Sequence, residues 1–521
     1  MQNKKMTIVL SIIGVLKSIV VIAQAIFSKI LIDKAVNKEN LLFTSLIFLF
    51  LLLLLTFLIL VGNLIKKRLL LQIEVGLKGK VFTSLINKDI KELRRFHSGE
   101  ISNIYLNDIN NIMIGEADTI PSIFLLSSRF ILALIVLIIF DYRLLLVLIV
   151  FSVFILLGAR FYSRYMKKYS KLSIESDGSV NAFMQESYEN IKFLKAMNTE
   201  TAVQKKLKDK LAYNQLYKNK KYNASVVGST GMATIINLSL ALVIVYGAFE
   251  IKNNPLFTYG TLLSLSQIVS YFETPISSLS SIVTKMASYN VSKKRINSLF
   301  ELKEDFVQED VSSFNRIIID DISFSYDKPL YDDFSFIINK NDKVIIKGPS
   351  GSGKSTLFNL ILGFEEPNKG SINIEVDGKM IPSKNARNLF SYVSQENILF
   401  SGTIRENISL FVDNCSEEEI VEALKDACVY DEIMQKEDGL NTRLNERGNG
   451  LSQGQIQRIL LAICLLKKKP ILLLDEFTSS LDIALEKQIV NNLMKKESTM
   501  IIITHRNIDV IDAKEIILNE I

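Results

Sequence analysis

Apolar residues dominate six stretches of the first three hundred positions, at 6–32, 41–65, 119–141, 143–162, 227–250 and 257–284. Each is about twenty residues or longer, enough for a helix to cross a hydrocarbon core about 30 Å thick. One such run could be a buried core helix. Six of them together leave too little polar surface to solvate a globule, so the pattern predicts membrane spans. From about Arg316 the pattern changes. Short β-rich runs at 316–319, 335–338, 343–346, 471–474, 499–503 and 515–518 alternate with helical ones at 355–362, 417–427 and 483–495. That order predicts an α/β sheet with its working residues at strand ends. The expected architecture is a multidomain membrane protein: an all-α, six-helix membrane domain over 1–300, a charged linker over 301–315 and an α/β domain over 316–521.

Two polar segments, at about 66–118 and about 163–226, are too long to be turns. Leu69, Leu70, Ile73, Val75, Leu77, Val81, Phe82 and Leu85 recur at near-helical spacing in the first, as do Phe183, Tyr188, Ile191, Leu194 and Met197 in the second. The membrane helices are therefore expected to continue past the bilayer and reverse at a short turn in each segment. Ser98-Gly99-Glu100 and the stretch around Glu189-Asn190 are the expected turns, because Gly and Asn permit chain reversal. Lys4 and Lys5, then Lys66, Lys67 and Arg68, then Arg160, Arg164, Lys167 and Lys168 fall at alternate ends of successive spans. Basic residues in short loops stay cytoplasmic, which places both termini and the α/β domain in the cytoplasm. The first run is too long for the core of a secretory signal and lacks a small-residue cleavage site, so it is expected to remain as a helix. Cys415, Cys428 and Cys464, an odd count without paired spacing, point to free thiols in a reducing compartment. The formal net charge of +6 is accounted for by the basic flanks, so nucleic acid is not an expected partner.

Chemistry concentrates in the α/β half. Gly348-Pro349-Ser350-Gly351-Ser352-Gly353-Lys354-Ser355, with Thr356 next, follows a strand and opens a helix. In that context the glycines let backbone N–H groups approach phosphates, Lys354 reaches the β- and γ-phosphates and Ser355 ligates Mg²⁺. Asp475 ends an aliphatic strand, where its carboxylate can hold the metal, and Glu476 beside it suits polarisation of an attacking water. His505 follows another aliphatic strand, where a donor can reach the γ-phosphate, and Gln395 can offer an amide oxygen to Mg²⁺ or water. Tyr326 can stack on adenine, although a tyrosine after a strand is more often edge packing. The other histidine, His97, reads as a solvated loop side chain. Leu451-Ser452-Gln453-Gly454-Gln455 adds a serine hydroxyl, a thin backbone and a helix N-terminus, which together form an anion site far in sequence from the phosphate loop.

Assembled, these residues resemble an ATP-binding cassette exporter of the half-transporter type, with one six-helix membrane domain of the type IV exporter kind fused to one P-loop nucleotide-binding domain. The likeness covers nearly the whole chain. It makes Tyr326 the adenine-stacking position, 348–356 the Walker A loop, Gln395 the Q-loop, 451–455 the signature, 471–475 Walker B, Glu476 the catalytic glutamate, Ser480 and Asp482 part of the D-loop and His505 the switch histidine. Phe400-Ser401-Gly402-Thr403-Ile404-Arg405-Glu406-Asn407 and Glu446-Arg447-Gly448 look like the exporter subclass. Phe96-His97-Ser98-Gly99-Glu100-Ile101 with Asn107-Asp108 resembles the first coupling-helix region, and Tyr259-Gly260 with Pro275 resembles the sixth helix. Gln453 replaces the commoner signature glycine, and Ile463-Cys464-Leu465 the usual Ala-Arg-Ala, yet Ser452 and Gly454 remain. Relatives continue with further strand and helix beyond the strand at 515–518, and no N-terminal peptidase domain is read in these residues, so leader cleavage is not expected from them.

The resemblance implies an ATPase with ATP and Mg²⁺, working as a homodimer or as a heterodimer with a second half-transporter. Each signature would cap the nucleotide on the opposing loop, and closure would switch the membrane helices between two openings. The abundance of Ile, Lys and Asn resembles an AT-rich bacterial genome, which places the chain in a bacterial cytoplasmic membrane. Lys17, Arg129 and Glu273 lie inside predicted spans and, with Gln267, are expected to line a partly polar cavity for an amphipathic peptide, lipid or drug, or else to snorkel to the membrane surface. A nucleotide-gated channel or regulatory subunit of the same fold is the alternative; intact Glu476 and His505 favour a pump.

Overall fold

Long apolar runs that continue without interruption into amphipathic sequence produce helices longer than a bilayer is thick. The computed structural model describes all residues except Met1, Arg95, His97, Pro255, Leu256, Phe306, Val307, Asp327, Ser350, Asn397, Asp413, Glu446, Arg447, Asn449, 507–512 and 519–521. It divides into two units, one of 1–86 with 96–301 and one of 87–95 with 302–521.

The first unit is helical. α1 (Gln2–Val36) and α2 (Leu42–Ile86) form a hairpin, and α3 (Ile90–Leu93) follows in the other unit. The chain then climbs through α4 (Ser98–Asn103), a π turn (Ile104–Asp108), α5 (Ile109–Ile114), a second π turn (Gly115–Thr119) and α6 (Ile120–Phe140). α7 (Tyr142–Glu189), α8 (Ile191–Ala196), α9 (Glu200–Asn253) and α10 (Tyr259–Phe300) complete the unit. Asp141 starts α7 by accepting from the N–H groups of Arg143 (2.9 Å) and Leu144 (3.3 Å), an N-cap that satisfies donors with no intrahelical partner.

Six long helical runs carry the six predicted spans. By length and composition, four described helices can cross a membrane: Lys4–Val36, Leu42–Ile86, Glu100–Phe140 and Glu200–Asn253. Tyr142–Gly158 is a shorter apolar stretch. α10, over the sixth predicted span, is more polar, with Ser264, Ser266, Gln267, Ser270 and Glu273 diluting its apolar residues. The two π turns present Asp108 and Asp118 to neighbouring helices. Asp108 accepts from Ser292 (2.7 Å) and pairs with Arg295 (3.0 Å) of α10. Asp118 lies between Lys66 of α2 (2.5 Å) and Lys285 of α10 (3.4 Å).

The first predicted turn is displaced. Asp89 caps α3 by accepting from the Lys91 N–H (2.9 Å), so the reversal falls within 87–95 and Ser98 already opens α4. A capping aspartate outweighs the turn preference of Ser98-Gly99, and His97 lies outside the described residues. The 87–95 segment belongs to the α/β unit. Asp89 N–H donates to the Lys303 carbonyl (3.1 Å), Asp305 N–H to that of Asn87 (2.9 Å), and Lys88 Nζ to that of Leu302 (2.7 Å). The second predicted turn stands at the junction of α7 and α8, with Asn190 between them.

In the α/β unit, β1 (Arg316–Ser325), β2 (Pro329–Asn339), β4 (Lys369–Val376) and β5 (Lys379–Pro382) form an antiparallel sheet of order β2-β1-β4-β5, with β3 (Lys343–Lys347) set apart. β3 joins β6 (Phe390–Val393), β9 (Ile471–Asp475), β10 (Thr499–Ile503) and β11 (Lys514–Ile517) in a parallel sheet of order β11-β3-β10-β9-β6. β7 (Gly402–Thr403) and β8 (Arg443–Leu444) make a small ribbon. The helices are α11 (Lys354–Ile361), α12 (Ile404–Phe411), α13 (Glu417–Asp426), α14 (Tyr430–Met434), α15 (Gln453–Leu466) and α16 (Ile483–Met494). Every residue of β9 and β10 is buried, because a parallel strand covered on both faces selects unbroken Ile and Leu.

Candidate functional site

Four parallel strands end side by side, and the expected chemistry leaves from their carboxyl ends. β3 runs into the glycine-rich loop, β10 into Thr504-His505, β9 into Asp475-Glu476 and β6 into Ser394-Gln395. Ligands bind at this edge of open α/β sheets.

The loop folds around its own lysine. Lys354 Nζ donates to the carbonyls of Gly348 (3.0 Å) and Pro349 (2.7 Å) and is largely buried. Burial lowers its pKa, while the charges of Glu476 and Asp475 push the other way. Gly351 and Gly353 have φ of 90° and 91°, the left-handed region that glycine enters without strain. A Cβ on Gly348 would lie 2.4 Å from the Leu518 carbonyl oxygen and 2.7 Å from Ser352 Oγ. Gly348→Ala is therefore expected to cost about 1–3 kcal/mol by overpacking, read as a lower melting temperature; an unchanged melting temperature would contradict the close approach. Tyr331, which the sequence reading did not single out, donates its hydroxyl to the Gly353 carbonyl (2.7 Å) and props the loop from β2. Ser355 and Thr356 follow on the first turn of α11, and Ser350 lies outside the described residues.

Glu476 sits at φ 48°, an uncommon conformation for a residue other than glycine. Its N–H donates to the Ile503 carbonyl (3.0 Å), which ties it to β10. One carboxylate oxygen accepts from Gln395 Nε2 (2.7 Å) and the other contacts His505 Nε2 at 2.7 Å. Two residues from neighbouring strand ends, Gln395 and His505, are thus brought to the carboxylate of a third. Asp475 is buried, and its Oδ1 has no hydrogen-bond partner. Burial raises its pKa and the Glu476 charge adds to this, whereas the Ser355 hydroxyl, Lys354 and His505 oppose it. An unpartnered buried carboxylate oxygen beside a serine hydroxyl, with the Gln395 amide oxygen left free by the Nε2 contact to Glu476, offers hard oxygen donors only. Such donors suit a hard cation such as Mg²⁺, which Ser355, Asp475 and Gln395 would hold.

Tyr326 is half exposed, packs edge-on against Phe324 at 4.9 Å between ring centroids, and donates its hydroxyl to Glu365 (3.3 Å). Its accessible ring can take a base, and its hydroxyl also meets Thr356.

The 451–455 element makes its contacts elsewhere. Ser452 caps α15 in a reciprocal box: its Oγ accepts from the Gln455 N–H (3.2 Å), and Gln455 Oε1 accepts from the Ser452 N–H (3.0 Å). This pattern fixes the start of the helix and leaves the dipole's positive end available. Leu451 precedes the cap, Gln453 is the first helical residue, and a Cβ on Gly454 would approach Leu481 to 2.9 Å. On the next turn, buried Gln457 donates to Ser479 Oγ (3.3 Å) and accepts from Ser480 Oγ (2.5 Å). Arg506, next to His505, donates to the carbonyls of Ser479 (3.0 Å) and Leu481 (2.8 Å). Asp482 caps α16. The turn holding Ser480 and Asp482 is therefore pinned between the signature helix and the residue after the histidine. Neither Gln457 nor Arg506 belongs to a motif; a polar residue facing inward on an otherwise apolar helix was the available signal for Gln457.

Arg458 locks the helix from below. It is buried, pairs with Glu432 through two bonds (2.6 and 2.9 Å) and donates to the carbonyls of Gly454 (3.1 Å) and Cys428 (2.5 Å). Glu432→Ala would leave that guanidinium with its two carbonyl acceptors only; because Glu432 is 41% exposed, the expected cost is about 1 kcal/mol. The Arg458 bond holds the Glu432 pKa below its usual value. Its contribution is thus complete above the unfolded value of about 4.3 and is lost as pH falls through the lower folded value. Acid unfolding of the wild type should show this loss and that of Glu432→Ala should not.

The four residues expected to line a substrate cavity have different neighbours. Lys17 Nζ lies against Gly62 of α2. The Arg129 guanidinium lies over the Tyr271 ring at 5.5 Å. Gln267 is half-buried on α10, and Glu273 is 1% exposed. Glu446 and Arg447 lie outside the described residues.

Residues 6–276 match the family model described as the ABC transporter transmembrane region, and 331–479 match that described as ABC transporter. The mesentericin-Y105 transport/processing ATP-binding protein MesD of Leuconostoc mesenteroides is 30% identical over 66% of this chain and 49% of its own length. The ATP-dependent lipid A-core flippase of Syntrophus aciditrophicus is 29% identical over 86% of this chain and 76% of its own. The chain spans about half the length of the bacteriocin-transport relatives it matches. A solved structure of a bacterial Atm1-family ABC exporter with ATP bound shares the fold, with a TM-score of 0.81 and 22% identity over 99% of this chain and 93% of that one. The chain belongs to the ABC transporter family, a membrane protein that joins the family's transmembrane region and its ATP-binding domain in one polypeptide.

Proposed function

We propose that the chain is an ATP-driven export pump that moves an amphipathic substrate across a bacterial cytoplasmic membrane by alternating access. The observation that carries this is the Glu476 carboxylate held between Gln395 and His505 beside Asp475, Ser355 and Lys354. Phosphoryl transfer asks a protein mainly for positioning and charge stabilisation, and these groups supply both. Lys354, the loop N–H groups and the start of α11 hold the phosphates, Tyr326 takes the adenine, and Glu476 accepts a proton from the attacking water. Mg²⁺, held by Ser355, Asp475 and Gln395, would neutralise charge on the phosphates.

The signature acts in trans. Gln455 donates to Glu432 and Gly454 packs at Leu481, while Gln457 and Arg458 on the following turn reach Ser480 and Cys428; none of these contacts runs to the loop that holds Lys354. Ser452 and the α15 N-terminus would cap the γ-phosphate on a second nucleotide-binding domain. We assign that domain to a second copy, because this chain carries both the hydrolytic groups and the signature, so one chain type furnishes both halves of each site. Basic flanks at Lys4, Lys66 and Arg164 support cytoplasmic termini and a cytoplasmic ATP-binding domain.

The substrate class is an amphipathic peptide, lipid or drug, as the relatives named for bacteriocin transport and lipid A-core flipping bracket it. The test is ATP-dependent accumulation of labelled amphipathic peptide and lipid in proteoliposomes with outward-facing ATP-binding domains. Accumulation that Glu476→Gln abolishes is expected. ATP-dependent ion conductance without accumulation would instead support a gated channel.

A further inference from the structure

The export reading uses no acid inside the membrane helices, yet one is buried there. Glu273 of α10 is 1% exposed, and both carboxyl oxygens lack a hydrogen-bond partner. The polar group that meets it is Ser239 of α9, itself fully buried. Ser239 already donates its hydroxyl hydrogen to the Ile236 carbonyl (2.8 Å). A serine hydroxyl has one hydrogen to give, so even when it turns toward Glu273 the second carboxyl oxygen is left without a donor.

Among the described residues, no cation pairs with Glu273 from the surrounding helices. α7 carries no titratable side chain over 144–158. α6 carries only Arg129 over 120–140, and that guanidinium lies over Tyr271. On α1, Lys17 lies against Gly62 of α2 and Lys29 over the Phe140 ring at 4.5 Å. On α9, Tyr246 donates to Asp141 (2.6 Å). Toward the other end of α10, Asp108 is engaged by Arg295, Asp118 by Lys66 and Lys285, and Glu116 accepts from Tyr289. An unpaired charge in such a place is among the costliest arrangements a protein can hold, and intramembrane acids of this kind serve proton or ion pathways. Pro275, two residues on, has no N–H to offer the Tyr271 carbonyl, so α10 is weakened within one turn of the acid.

We infer that Glu273 is a proton-exchange site of the transport cycle. One proton joins a carboxylate oxygen when α6, α9 and α10 close over it, and leaves to water when they part at Pro275. Nothing is oxidised or reduced. The cycle itself is that of the export reading, on which this inference rests.

Infrared spectroscopy of the full chain in lipid nanodiscs at neutral pH tests it. Wild type should show a carboxylic-acid C=O band that Glu273→Gln removes and Glu273→Asp shifts, which separates loss of the acid from loss of the fold. In the Glu476→Gln background, ATP should convert part of that band to carboxylate signal. Identical spectra for wild type and Glu273→Gln would overturn the proton site. A band unmoved by ATP, in a chain that ATP does close, would overturn its place in the cycle. If ATP drives no closure, the export reading falls, and the wild-type against Glu273→Gln difference still decides whether the acid holds a proton.

Discussion

Glu476→Gln is expected to abolish sustained ATP hydrolysis while leaving ATP binding and ATP-driven closure intact. A positioned general base contributes about 10²–10⁴-fold to rate, and Gln keeps the shape of Glu without its capacity to take a proton. The groups that bind the nucleotide are elsewhere: Lys354 is anchored to the Gly348 and Pro349 carbonyls, and Asp475 lies inside β9. Tying of residue 476 to β10 runs through its backbone N–H, which the substitution does not touch. Phosphate release by the purified variant, beside ATP-dependent protection of the chain from proteolysis, measures both halves of this expectation. Turnover at the wild-type rate would remove Glu476 from the chemistry.

Lys354→Ala should act one step earlier. The ammonium group is the only side-chain cation within 348–356, and it donates to two carbonyls of that loop. An alanine forfeits the charge and leaves those carbonyls without their donor. Charge-assisted bonds of this kind are worth about 3 kcal/mol, about a hundredfold in affinity. Titration with a fluorescent ATP analogue should show that loss. The start of α15 is untouched by the change, so the same variant keeps a working signature while losing its own nucleotide.

Glu476 and His505 were legible because each follows an aliphatic strand, and a parallel sheet aligns such ends whatever lies between them in sequence. Glu476 and His505 could be named from position, and Gln395 from its amide chemistry and the family resemblance, although not the two contacts of 2.7 Å that join them. Support for the site was less visible. Tyr331, Gln457 and Arg506 reach partners 22 to 27 residues away, and Arg458 reaches Glu432 26 residues back. No local pattern marks such pairs, since they depend on how helices pack after the elements form. In the membrane half, apolar runs located the helices, but an Asp89 cap moved the first turn away from the Ser98-Gly99 pair that local preference favoured. β4, β5, β6, β7 and β8 escaped notice: four are antiparallel strands with exposed positions that carry little apolar signal, and parallel β6 is only four residues long with Ser391 and Tyr392 interrupting its apolar run.

The central claim is that the 451–455 element of one copy grips the nucleotide held by another. A photoreactive group on the γ-phosphate of ATP tests it in a mixture of two forms of the chain, one tagged and carrying Lys354→Ala, the other untagged with an intact loop. The account predicts label on the tagged chain, within peptides containing Ser452, only when the untagged chain is present. Equal labelling of the tagged chain alone, or none in the mixture while the untagged chain binds ATP, would contradict it.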